Sequence, residues 1–188
     1  NAVVSEYPRM ESAWMFLGEW YLSNNQAGMA MDMALRGLAS LPDSRSLLLL
    51  KARVEAMRSP SIAMETLAPL VRRYPDDARI AEMWAVLLHE TGKTEQAVSV
   101  LQQWLAAAQT QGIETSSVSM RLMELLYQNG QAEQAGDLYK TLQSQPDNAM
   151  PAMLRWIGLI VKTATADQIV GVFEQWYNAY PQGGGLAG

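Results

Sequence analysis

The chain contains no cysteine and only one histidine, His89. Without cysteine it can form no disulfide bond, no thiol nucleophile and no thiolate metal site. A single histidine cannot supply a two-histidine zinc site from this chain alone, and no G-x-S-x-G motif is present to supply the nucleophile of a serine triad. We therefore predict that the protein is not an enzyme and that it has no catalytic residue, no metal site and no cofactor.

Basic residues and long apolar runs are also scarce. The chain has 14 Lys and Arg against 19 Asp and Glu, which gives a formal net charge of -5. Because binding to nucleic-acid backbones depends on clustered basic residues, and those present here are scattered, we expect no nucleic-acid partner. The longest apolar runs, residues 47–50 and 157–161, are far below the ~18 residues that span a bilayer. We therefore expect no direct membrane insertion of this chain.

Small residues return along the chain with a period of about 34 residues, which indicates a repeated supersecondary unit. In such a unit a small residue lets one helix approach another closely. The interval from Ala97 to Ala135 is longer than the others and coincides with the polar residues 109–115, which we predict to be a lengthened loop. The recurring small positions are Ala30, Ala63, Ala97 and Ala135, and Ile169 follows one period later.

Prolines and glycines mark the ends of the predicted helices. Proline ends a helix because it has no N–H group and clashes with the preceding turn. Gly92 and Gly130 stand in near-copies of one segment and predict the turn between the two helices of a unit. The prolines that we expect to follow the second helix of a unit are Pro8, Pro42, Pro75, Pro146 and Pro181.

Residues 14–21 read WMFLGEWY and are followed by Ala30 and Pro42. This W-x2-L-G-x2-Y…A…P spacing resembles a tetratricopeptide repeat, a helix-turn-helix unit of about 34 residues. One such hairpin cannot bury its own apolar face, so the resemblance implies stacked copies. It predicts an all-α fold, a right-handed α-solenoid of stacked antiparallel helix hairpins.

The repeat register also predicts how the chain is organised. Residues 1–9 are interpreted as the tail of a preceding truncated repeat, which makes the chain part of a longer array. Residues 183–188 are glycine-rich and are predicted to be a flexible end. Between these ends, residues 10–182 are predicted to form five hairpins, at 11–44, 45–77, 78–111, 116–148 and 150–182.

The family resemblance also implies a site. In this family the first helix of each hairpin lines a concave groove, with unit positions 2, 5, 9 and 12 pointing into it. A chaperone-binding clamp of the family has Lys and Asn at positions 5 and 9, where this chain has Met15 and Glu19; an acid there repels a terminal carboxylate, so that use is not expected. The candidate partner-binding residues are Met15, Glu19, Leu49, Arg53, Glu82, Val86, His89, Met120, Glu124 and Tyr127.

Two functions are consistent with these features. The first is a non-catalytic scaffold that binds a partner protein or peptide through the concave groove. The second is an architectural spacer. Degenerate repeats, abundant Ala, Met and Gln, and the absence of Cys resemble the scaffolds of bacterial envelope and exopolysaccharide secretion systems. That resemblance implies a periplasmic location, with a cytoplasmic one as the alternative, and allows a polysaccharide partner stacked on Trp and Tyr side chains.

Overall fold

The computed structural model describes residues 6–181, and every regular element in that range is an α-helix. The all-α prediction is confirmed for these residues. Residues 1–5 of the predicted N-terminal tail and the predicted flexible end at 183–188 lie outside them. The helices are α1 Glu11–Ser23, α2 Ala27–Ser40, α3 Arg45–Ala56, α4 Pro60–Arg73, α5 Ala78–Glu90, α6 Thr94–Gln111, α7 Ser116–Gln128, α8 Ala132–Gln143, α9 Pro146–Ile160 and α10 Ala166–Ala179.

The chain divides into two compact units, one ending at Lys93 and the other beginning at Thr94. In the first unit α1 packs against α2, α2 against α3, α3 against α4 and α4 against α5. In the second unit α6 packs against α7, α7 against α8, α8 against α9 and α9 against α10. Consecutive helices that are joined by a short connection and pack together run antiparallel. Each unit is therefore a stack of helix hairpins, the arrangement of an α-solenoid. The unit boundary falls within the predicted third hairpin, between α5 and α6.

The first helices α1, α5 and α7 end in the same way. The second residue after the helix has a left-handed backbone, with φ of 57° at Asn25 and 78° at both Gly92 and Gly130. The N–H of the next residue donates to the carbonyl five residues earlier, at 2.8–2.9 Å. This is the Schellman geometry that glycine adopts most easily. The predicted turns at Gly92 and Gly130 are confirmed.

The connections from α2 to α3 and from α4 to α5 share a second kind of turn, which we call the proline turn. In it a residue before proline accepts a hydrogen bond from the N–H three residues on, as in Ser44 to Leu41 at 3.1 Å and Asp77 to Tyr74 at 3.2 Å. Ser44 and Asp77 then cap the next helix, Asp77 Oδ1 accepting from the N–H of Arg79 at 2.9 Å. The turn thus ends one helix and begins the next.

Pro146 has a different role from the one predicted. It is the first residue of α9 rather than the residue that follows α8, which ends at Gln143. Proline is favoured at the first helical position because its missing N–H would have no partner there. Consequently α9 begins four residues before residue 150, where the fifth hairpin was predicted to start.

The prediction of a lengthened loop at residues 109–115 is wrong for residues 109–111. Helix α6 continues to Gln111, and at 18 residues it is longer than the other described helices. It ends at Gly112, where φ is 67° and the N–H of Ile113 donates to the carbonyl of Ala108 at 3.1 Å. Polar Gln and Thr continue the helix that the preceding alanines favour, so polarity alone did not indicate a loop.

Small residues lie where the helices pack closely. All four repeat alanines, Ala30, Ala63, Ala97 and Ala135, are completely buried. A Cβ atom on Gly18 of α1 would lie 2.3 Å from Leu50 Cδ2 of α3. The fifth position of the series, Ile169, is only half-buried, and none of the residues in α10 is fully buried.

Candidate partner-binding surfaces

The candidate partner-binding residues all lie on first helices. Seven are in the first unit, on α1, α3 and α5, and three are in the second unit, on α7. Nine of the ten side chains are half-buried and Arg53 is exposed, whereas the repeat alanines are completely buried. The register therefore separates positions that reach solvent from positions that form the core.

In the first unit the candidates on α1 and α3 form what we call the α1–α3 surface: Met15, Glu19, Leu49 and Arg53. Arg53 Nη1 donates to Glu19 Oε1 at 2.9 Å, and Nη2 donates to the other carboxylate oxygen. The two residues are 34 positions apart, so the same place in successive hairpins comes into contact. Met15 and Leu49 also pack partly against two core clusters. Both side chains of the ion pair remain open to solvent, at 52% for Arg53 and 42% for Glu19.

The other candidates of the first unit lie on α5. Glu82, Val86 and His89 are half-buried, and His89 is in the last turn of the helix. Helix α5 packs against both α4 and α3. A further ion pair joins α3 and α5. Arg45 Nη1, at the start of α3, lies 3.0 Å from Oδ2 of Asp77, and Asp77 caps α5.

Asp77 has a pKa below its ordinary value of 3.8. Its partial burial acts in the opposite direction and by itself would raise the pKa. The hydrogen bond and positive charge of Arg79, the backbone N–H of Ile80 and the charge of Arg45 together outweigh that effect. The carboxylate is thus held in its charged form at the beginning of α5, where the helix dipole also favours an anion.

In the second unit α7 and α9 form the corresponding surface, which we call the α7–α9 surface: Met120, Arg121, Glu124 and Tyr127 on α7, with Arg155 and Trp156 on α9. Glu124 Oε2 accepts from Arg121 Nη1 at 2.5 Å, and Oε1 accepts from Arg155 Nη1. Glu124 is 15% exposed. Among the described residues, the buried Nε of Arg121 has no hydrogen-bond partner. The one carboxylate of Glu124 therefore accepts hydrogen bonds from two guanidinium groups.

Aromatic rings adjoin this charged group. The Tyr127 ring meets the Trp156 ring edge-on, with centroids 5.8 Å apart and planes at 82°. The Tyr127 hydroxyl lies 2.9 Å from Thr163 Oγ1. On its other side Trp156 stacks on Tyr139 at 5.3 Å and 7°. Tyr139 is buried, and this burial raises the pKa of its hydroxyl. Trp156 is thus held between two tyrosines while part of its surface still reaches solvent.

The sequence register missed Arg121, Arg155 and Trp156. Arg121 occupies unit position 6, which the register did not assign to the groove, and no candidate residue was assigned to the fifth hairpin. The contact from Glu124 to Arg155 spans 31 residues, against 34 from Glu19 to Arg53. The difference of three residues between the two spans corresponds to about one helical turn. The early start of α9 at Pro146 was the signal that could have corrected the register.

A polar cleft lies beside the N-terminal ends of α7 and α9, with a volume of about 490 Å³. Within it Asn148 Nδ2 donates to Ser116 Oγ at 2.6 Å, and Glu114 accepts from the N–H of Ser116 at 2.5 Å. Its residues are not candidates from the repeat register. The lining residues are Ile113, Glu114, Thr115, Ser116, Gln145, Asp147 and Asn148.

Neither a metal site nor a membrane span is found within residues 6–181. No group of three or more His, Asp or Glu side chains in this range has the arrangement of a metal site. Nor does any helix of the same range combine the length and the hydropathy that crossing a lipid bilayer requires.

No protein-family model and no curated protein sequence matches this chain. Solved structures do. PilF of Pseudomonas aeruginosa is 23% identical, the match covering 93% of this chain and 77% of PilF, with a TM-score of 0.65. TTC0263, a thermophilic TPR protein of Thermus thermophilus, is 18% identical over 92% of both chains, with a TM-score of 0.68. YrrB, a TPR protein with an unusual peptide-binding site, is 10% identical over 96% of this chain and 92% of YrrB, with a TM-score of 0.55.

Proposed function

We propose that this chain, which has the fold of the tetratricopeptide repeat proteins, is a non-catalytic scaffold that binds a segment of a partner protein along the first helices of its hairpins. The observation that carries the proposal is the α7–α9 surface. There, two arginines and two aromatic rings stay partly open to solvent. Arg, Tyr and Trp are the residue types that most often dominate binding energy at protein interfaces.

This surface suits a peptide or helix because it combines apolar and charged groups. Met120, Tyr127 and Trp156 offer apolar contact, and the guanidinium groups of Arg121 and Arg155 offer further N–H donors after binding Glu124. The α1–α3 surface of the first unit offers the same combination in a smaller form, with Met15 and Leu49 beside the Glu19–Arg53 pair. The fold is compatible with such binding. YrrB has a peptide-binding site, and a further solved structure similar to this chain is that of Naa15/Naa10 bound to HypK.

The test is affinity capture from membrane and soluble fractions of the native organism. Wild type is compared with two charge-changed variants, Arg155→Glu and the swap Glu19→Arg with Arg53→Glu, which retains opposite charges at the contact. A matched control exchanges the exposed Asp137 and Lys140 of α8, a pair at 2.9 Å on neither surface. We expect a partner that the control retains and Arg155→Glu loses, with at least about tenfold weaker binding once the partner is purified.

Capture of the same proteins by all four forms would remove the α7–α9 and α1–α3 surfaces as recognition sites. The architectural role would then be the better description. That role, a polysaccharide partner and a periplasmic location are proposals that composition supports. Cell fractionation with an antibody against the chain tests the location, and binding of labelled exopolysaccharide to wild type and to Trp20→Ala tests glycan contact through an exposed ring.

A further inference from the structure

The two arginines of the α7–α9 surface carry more positive charge than their shared carboxylate neutralises. Among the described residues each of the two guanidinium groups has one hydrogen-bond partner, the carboxylate of Glu124. Because both arginines are charged at neutral pH and Glu124 supplies one negative charge, the cluster keeps one positive charge. The corresponding cluster of the α1–α3 surface, Glu19 with Arg53, keeps none.

The unused N–H groups of this cluster lie where a ligand can reach them. A guanidinium group has five N–H donors in one plane, and Arg121 and Arg155 each bind Glu124 through Nη1 alone. Arg155 is 46% exposed and Arg121 is 35% exposed. Since the Nε of Arg121 is buried, the open donors belong chiefly to Arg155. A carboxylate can bind such a planar group with two parallel hydrogen bonds.

An apolar contact lies directly beside these donors. Trp156 follows Arg155 in α9, and its half-buried ring is held between two tyrosine rings. Met120 precedes Arg121 in α7 and is also half-buried. Because the Trp156 ring is already held in place, it offers apolar area at little cost in side-chain entropy. A bound segment therefore gains most when an apolar side chain stands next to its acid.

Nearby negative charge limits how many acids such a segment can carry. Glu114 and Asp147 line the polar cleft at the N-terminal ends of α7 and α9. Asp147 stands eight residues before Arg155 in the same helix, which is about 12 Å along the helix axis. Neither of these two carboxylates takes part in an ion pair within residues 6–181. Both therefore repel a second acid at this end of the surface.

We infer that the partner segment bound by the α7–α9 surface places a single Asp or Glu side chain on Arg155, beside an apolar side chain on Trp156. Glu124 determines this preference, because it leaves one positive charge for the ligand. The inference rests on the proposed function and names the chemistry of the segment that this surface binds. A phosphorylated side chain carries a charge of about -1.5 to -2, which exceeds the charge available and would face Glu124. The surface thus prefers a carboxylate to a phosphate.

A library of random short segments, displayed between two folded domains so that no free chain end is present, tests the preference. It is selected on wild type, Arg155→Gln, Glu124→Gln and the control that exchanges Asp137 and Lys140, and circular dichroism verifies the fold of each. We expect wild type and the control to enrich segments with one acid next to an apolar residue. Arg155→Gln leaves the cluster neutral and should retain the apolar enrichment without the acid.

Synthetic peptides made from the selected segments, with both ends blocked, measure the affinities. Three versions carry the acid, the corresponding amide and phosphoserine at the same position. Wild type should bind the acid version at least about tenfold more tightly than the amide version, and more tightly than the phosphoserine version. Glu124→Gln frees a second positive charge and should reverse the second preference, in favour of phosphoserine. Arg155→Gln should bind the acid and amide versions equally.

The outcomes separate the inference from the proposed function. A wild type that enriches no segment contradicts the proposed function and the inference with it. Three results overturn the inference alone: apolar segments enriched without an acid, enriched acidic runs, or tighter binding of phosphoserine by wild type. The inference is also overturned if the folded Glu124→Gln variant keeps the wild-type order of affinities, because Glu124 then does not determine the preference.

Discussion

The α1–α3 and α7–α9 surfaces are corresponding parts of two units, yet different interactions hold them together. In each, a Glu on the earlier first helix binds an Arg on the next one. Glu19 is 42% exposed and pairs with one arginine, whereas Glu124 is 15% exposed and pairs with two, one on its own helix and one on the next first helix. The helices of the first surface approach so closely that Gly18 has no room for a Cβ atom beside Leu50. Shape therefore stabilises the first surface and charge stabilises the second.

The physical reason is the local dielectric environment. An exposed ion pair adds little to stability, because water stabilises the two separate charges nearly as well as their contact does. A carboxylate withdrawn from water loses that solvation and depends on its partners, so removing one member leaves the others uncompensated. At the same repeat position, the ion pair thus adds little to stability in the first unit and is required for stability in the second.

The largest expected effect comes from Glu124→Ala. This change leaves Arg121 and Arg155 close together without their shared carboxylate, and we expect the free energy of unfolding to fall by about 2 kcal/mol. Urea unfolding followed by circular dichroism measures it. The matched variant is Glu19→Ala in the first unit. Equal losses in the two variants would contradict the distinction between the surfaces.

The close approach of α1 and α3 is broken by Gly18→Ala. The added Cβ atom would lie 2.3 Å from Leu50 Cδ2. Leu50 is buried, so its side chain has little freedom to move aside, and overpacking outweighs the better helix propensity of Ala. We expect a net loss of about 1 kcal/mol, measured as a lower Tm. Gly171→Ala on α10 is the control, because nothing lies within 4 Å of its added Cβ atom. It should stabilise by about 0.5–1 kcal/mol.

Acid should affect the Arg45–Asp77 pair at the edge of the first unit. The pKa of Asp77 is lower in the folded protein than its ordinary value of 3.8. Its contribution to stability is therefore fully present above that value and is lost as the pH falls through the lower, folded pKa. Asp77→Asn keeps a good N-cap but removes the charge, and we expect it to cost about 0.5–1 kcal/mol at pH 7.

The measurement is the free energy of unfolding of both proteins between pH 2 and pH 7. The two curves should converge below the folded pKa of Asp77, where the wild-type carboxyl is also neutral. A constant separation down to pH 2 would show that the charge of Asp77 is not what distinguishes the proteins.

The smallest expected effect is at Glu19 and Arg53. A double-mutant cycle with Glu19→Ala and Arg53→Ala should give a coupling energy of about 0.5 kcal/mol, because both groups are largely exposed. In 1 M NaCl that coupling should nearly vanish. A coupling above about 2 kcal/mol that persists in salt would place this pair in the same class as Glu124.

The repeat register predicted the features that depend on chain period. The buried alanines and the turns at Gly92 and Gly130 follow from residues that stand about one repeat apart. These features are local, or they repeat a local rule, so a one-dimensional pattern is sufficient to locate them. The predicted partner-binding groove stays a prediction.

The register failed where a helix began or ended out of period. Helix α6 continues into residues whose polarity suggested a loop, and α9 starts at Pro146 instead of following it. The second change rotates and shifts the side chains of α9, which is how Arg155 comes to Glu124 and Trp156 to Tyr127. Neither contact joins residues that stand at the regular interval of the repeat.

By itself, the amino-acid sequence determined that this protein is a stack of helix hairpins, where those hairpins turn, and which small residues face the core. Those properties depend on backbone conformation and on side-chain volume, which each residue carries with it. Only the tertiary structure decided that Glu124 is shared by two arginines, that Trp156 is held between two tyrosines, and that Phe16 and Trp20 are exposed while Leu50 and Val54 are buried. Burial and charge pairing depend on which helices become neighbours, and no residue specifies that alone.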